Sequence, residues 1–61
     1  MKTIEETNPN IKQNTLLIDK DQQRFKVIHV FKYIIQVENE NKNIFLFNTT
    51  DIKQMKLKEF K

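Results

Sequence analysis

The sequence predicts a mainly β domain: a small five-stranded barrel preceded by a short N-terminal arm or helical turn. Three observations carry that expectation. Residues 25–37 contain no Gly, Pro, Asn or Asp, and the odd positions Phe25, Val27, His29, Phe31, Tyr33, Ile35 and Val37 form a period-two stripe. Polar stretches at 19–22 and 38–43 cut the flanking sequence into short apolar runs of strand length. The 61 residues suffice for one domain, and a domain of that size buries only about 60% of the surface its unfolded chain exposes.

The elements follow in order. Residues 1–10 are polar, carry Ile4 as their one sizeable buried candidate and contain Pro9, which bars a helix from running through; the arm is expected over 1–12. The barrel core spans 13–58 and the tail 59–61. Thr15-Leu16-Leu17-Ile18 starts strand one, near 14–19, which ends where Asp19 and Asp21 suit a turn. The run from 25 to 37 exceeds an ordinary strand of about 5 to 6 residues and must bend or divide. Lys32 is the expected corner, with strand two near 23–31 and strand three near 32–38. A polar hairpin follows at 38–43, where Asn supplies the left-handed conformation that Gly would otherwise provide. Strand four, Ile44-Phe45-Leu46-Phe47, is apolar on both faces, which predicts one face toward the barrel interior and the other against a neighbour or the terminal segment. Asn48, Thr49, Thr50 and Asp51 are candidate N-caps for a short helix or a single turn at Ile52, and the alternation of Met55 and Leu57 with lysines favours a last strand at 55–58. Five short strands in this order describe an SH3-like barrel, although the chain contains no Gly for its bends.

Composition narrows the chemistry. The absence of Cys removes disulfides and thiolate metal sites, leaving strand packing and self-association to reinforce a small core, so an oligomer or a marginal monomer is expected. Eleven Lys plus Arg against eight Asp plus Glu give a net charge of +3, which permits a polyanionic partner. Ten of the eleven are Lys, and the eight Ile and seven Asn beside them fit an AT-rich coding sequence equally well. The opening residues, with Glu5, Glu6 and Pro9, resemble neither a signal peptide nor a membrane anchor, which predicts a cytoplasmic protein.

His29 is the single histidine, and no acid or nucleophile is spaced to partner it, so it reads as a structural imidazole on the odd face. Glu38 and Glu40 read as a solvated turn, and neither a metal site nor a cofactor is expected. Without a Gly-rich phosphate loop or paired acids, the chain is not expected to be an enzyme. Most of its aromatics are core. Tyr33 beside Lys32 differs, because an exposed aromatic next to an ammonium can stack a base while the cation meets phosphate.

The order of these features resembles the Sm/Hfq family of RNA-binding proteins. Val30-Phe31-Lys32-Tyr33 falls at the family's aromatic-Asp-Lys/Gln-aromatic motif, Ile34-Ile35-Gln36-Val37 continues as strand three, and residues 44–52 fall at the strand that leads into Tyr-Lys-His-Ala-Ile-Ser. The resemblance covers residues 14–57 and implies a closed ring that contacts uridine-rich RNA. It implies Tyr33 as the stacking aromatic, Lys32 as its neighbour, and Asn48 with Thr49 in place of Lys-His. Phe31 replaces the motif's Asp, an extra residue precedes Ile52, and no Gly bends strand two.

Two functions compete on this reading. The first is a non-enzymatic module binding RNA or single-stranded nucleic acid through Lys32, Tyr33, Asn48 and Thr49. The second is a protein-interaction module, a small regulator or inhibitor, or a self-associating chain, that uses the even-face residues Ile28, Val30 and Ile34.

Overall fold

The computed structural model describes residues 2–60. In chain order the elements are α1 (Ile4–Thr7), β1 (Leu16–Ile18), β2 (Arg24–Val30), β3 (Ile34–Asn39), β4 (Ile44–Asn48), α2 (Thr49–Gln54) and β5 (Lys58–Glu59). The strands form one antiparallel sheet in the order β4-β3-β2-β1-β5. The mainly β, five-stranded architecture is compatible with a small barrel-like fold. Closure is absent: β4 and β5 are both edges, and no pairing joins them among the described residues.

The N-terminal segment is less an arm than a plug. Thr3 caps α1 by accepting from the Glu6 N–H at 3.1 Å, while the Glu6 carboxylate accepts from the Thr3 N–H at 3.1 Å, a reciprocal capping box. The helix is one turn long, too short to stand alone. It is held by Ile4, whose side chain is 0% exposed in the core and whose N–H donates to the Lys32 carbonyl at 2.8 Å.

The long apolar run divides at the expected corner. β2 ends at Val30, β3 begins at Ile34, and the Phe31 N–H donates to the Ile34 carbonyl at 2.8 Å across the turn. A second irregularity lies four residues earlier. Val27 pairs with Val37 and His29 with Gln36, so Ile28 is an extra residue, a β-bulge. The bulge reverses the alternation of β2: Phe25 and Val27 face inward, but beyond Ile28 it is Val30, paired with core residue Ile35, that faces inward. His29 therefore leaves the apolar face to which strict alternation assigns it and is exposed. On the other side of β2, the Asn14 N–H donates to the Val27 carbonyl at 2.7 Å and the Val27 N–H to the Thr15 carbonyl at 2.9 Å, so two residues again oppose one. Asn14, at φ 72°, takes the left-handed position of that bulge, which Gly usually fills.

Two hairpin turns share one construction. Asp19 Oδ1 accepts from the Asp21 and Gln23 N–H groups at 2.8 Å each, and Asn39 Oδ1 accepts from the Asn41 and Asn43 N–H groups at 2.9 Å each. The fourth residue of each turn is left-handed, Gln22 at φ 67° and Lys42 at φ 68°. In the second hairpin, then, Asn39 braces the loop and a lysine takes the left-handed position expected of an Asn.

The C-terminal third differs from the expected strand at 55–58. Asn48 caps α2 reciprocally with Asp51, accepting from the Asp51 N–H at 2.8 Å. The helix closes as the Leu57 N–H donates to the Ile52 carbonyl at 3.1 Å and the Lys56 N–H to the Lys53 carbonyl at 3.2 Å, with Lys56 at φ 54°. This is a Schellman ending, with the buried pair Leu57 and Ile52 as its apolar contact. The last strand is therefore shifted to Lys58–Glu59, where it pairs with β1.

Leu17, Phe25, Val27, Ile35, Val37, Ile52 and Leu57 join Ile4 in the core. Phe45 and Phe47 enter the same side, edge-on to the Phe25 ring at centroid distances of 6.0 and 5.4 Å.

Candidate functional site

Lys32, Tyr33, Asn48 and Thr49 fall at one end of the sheet because of strand register. Ile34 is the Cα partner of Asn48, so Tyr33 and Thr49 are the residues just beyond one cross-strand pair. Tyr33 is 39% exposed, and the Lys32 ammonium sits 5.4 Å from its ring centroid. That separation is a cation–π contact. The turn therefore offers an accessible ring and a positive charge side by side. Asn48 plays a different part: its amide oxygen is engaged in capping α2, so its placement is first of all structural.

The even-face trio does not form one surface. Val30 packs against the core, Ile34 lies on the opposite face with Asn48, and Ile28 occupies the bulge. The bulge separates residues that strict alternation would align. The exposed apolar surface is instead at β4, where Ile44 and Leu46 project from the outer face and Leu46 is 59% exposed. The inner face of β4 carries Phe45 and Phe47 toward Phe25, and the outer face, expected to meet a neighbour or the terminal segment, leaves Ile44 and Leu46 exposed.

Sequence reading missed a groove between α1 and α2. It is lined by Lys2, Lys53 and Lys56 together with Asn8, Thr49 and Thr50, and no Asp or Glu lines it among the described residues. Its lysines are visible in the sequence only as charge. The grouping depends on α1 docking beside α2, for which the sequence signals are the two capping boxes, Thr3 with Glu6 and Asn48 with Asp51.

His29 lies 4.7 Å from the Phe31 ring, centroid to centroid, and lines a shallow hollow with Glu5, Pro9, Ile11 and Lys12. Among the described residues no three His, Cys, Asp or Glu side chains converge as metal ligands, and no helix is long and apolar enough to cross a membrane. No family model, no curated protein and no solved structure matches the chain.

Proposed function

We propose that this protein is a non-enzymatic module that binds RNA or single-stranded nucleic acid. The observation that carries the reading is the exposed Tyr33 ring with the Lys32 ammonium at 5.4 Å, set at a turn where neither group is needed for the core. A base stacks on any aromatic face without regard to its identity, and the adjacent cation meets the phosphate beside it. The likeness of residues 30–37 to the Sm/Hfq motif supports the same role for Tyr33.

Fluorescence anisotropy with labelled uridine- and adenine-rich oligonucleotides tests it. Affinity should fall as salt rises, and Tyr33→Ala should weaken binding about fivefold or more, the equivalent of about 1 kcal/mol for one missing stack. The absence of any shift at low salt would dismiss the proposal.

A second reading, a protein-interaction or self-associating module, rests on the exposed edge strand β4. Light scattering and a pull-down beside those titrations separate the two. Binding of a protein partner or a second copy that survives Tyr33→Ala and disappears with Leu46→Lys, without any oligonucleotide binding, favours the second.

A further inference from the structure

We infer that the groove between α1 and α2 is a phosphate-backbone track that extends the Tyr33 stacking site along a single strand of nucleic acid; the inference rests on the proposed function. Three lysines, Lys2, Lys53 and Lys56, line one concavity, and no Asp or Glu is among the described lining residues. On a surface with eight acids in 61 residues, a solvated face normally interleaves both signs, and a single-sign cleft focuses field onto an anion. Thr49, Thr50 and Asn8 add neutral donors of the kind that position phosphates without reading bases.

Both walls of the groove lead to the same turn. Thr49 adjoins Asn48, whose strand partner Ile34 adjoins Tyr33. On the other wall, Lys2 lies two residues before Ile4, whose N–H binds the Lys32 carbonyl. A strand whose base stacks on Tyr33 thus meets the groove directly as it leaves the turn. The groove itself holds no aromatic side chain among the described lining residues, so it grips the backbone while the turn takes the base. A cationic groove paired with a stacking platform is the arrangement used for single strands.

Oligonucleotide length separates the two parts. Thymidine oligomers of about 4 and about 12 nucleotides are titrated against the full chain, the double variant Lys2→Glu/Lys53→Glu, and the control Lys12→Glu/Lys26→Glu, which has the same net charge and leaves the groove intact. Thermal melting verifies that each variant is folded. The expected result is that the longer oligomer binds more tightly than the shorter, and that the groove variant forfeits this advantage, about tenfold, while the control keeps most of it. The salt dependence of the groove variant should also be shallower by about 1.4 in the log–log slope, about 0.7 for each phosphate that is no longer neutralised. If both oligomers bind through Tyr33 and the groove variant matches the control, the track is refuted and the stacking module stands. If neither oligomer binds, both fall together.

Discussion

Four residues with side chains, Asn14, Gln22, Lys42 and Lys56, hold left-handed backbone conformations in a chain that has no glycine. Each carries a steric cost of about 1–2 kcal/mol that Gly would avoid, partly offset because Gly leaves the unfolded chain with more freedom to lose. Gln22 is exposed, its side chain makes no hydrogen bond among the described residues, and Asp19 braces the turn around it. Gln22→Gly should therefore stabilise the protein by about 0.5–1 kcal/mol, a rise of a few degrees in melting temperature. A lower melting temperature would show that the left-handed turns are unstrained. The sequence marks the turns through Asp19 and Asn39 but not which residue bends, because the left-handed position falls to the fourth residue whatever its type.

At the scale of elements, most of the sheet was legible. Period-two apolarity and the polar punctuation identify the first four strands and the hairpin turns after Asp19 and Asn39, since burial on one face imposes that alternation directly. Two features escaped. The Ile28 bulge leaves no composition signal, because an inserted apolar residue in an apolar run changes register without changing character. The α2 ending was obscured because Lys56 stands where Gly would announce it. The bulge makes a sharp prediction: Val30→Lys should destabilise the fold by about 2 kcal/mol or more, whereas His29→Lys should stay within about 0.5 kcal/mol. Uninterrupted alternation from Phe25 demands the reverse order, so chemical denaturation of the two variants decides between them. The candidate site was half legible for the same reason. Lys32 and Tyr33 stand at a recognisable corner, while the groove lysines come together only through long-range docking.

For the whole molecule, Ile4 is the residue through which α1 joins the core. The Cα radius of gyration of 10.3 Å matches the roughly 10.5 Å expected of a compact chain of this length, despite the open sheet. A domain this small has a total stability of about 3–9 kcal/mol. Ile4→Ala removes about 2–4 kcal/mol by transfer and cavity formation, so it should lower the melting temperature by about 10 °C or more, as circular dichroism melting would report. Only a change of less than about 1 kcal/mol would show that α1 is an ornament on a core complete without it.

The sheet order also has a consequence for the time course of folding. β1 through β4 each meet their sheet neighbour through a turn of a few residues, so their pairing is local and needs little loop closure. β5 must return to β1 from the far side of the chain, and it contributes two residue pairs when it arrives. With so few pairs it is expected to open before the rest of the sheet, so the amides that pair β5 with β1 should exchange with solvent faster than those between β2 and β3. Each such opening bares the backbone of β1 for an instant, a brief unpaired edge beside a core that is otherwise shut.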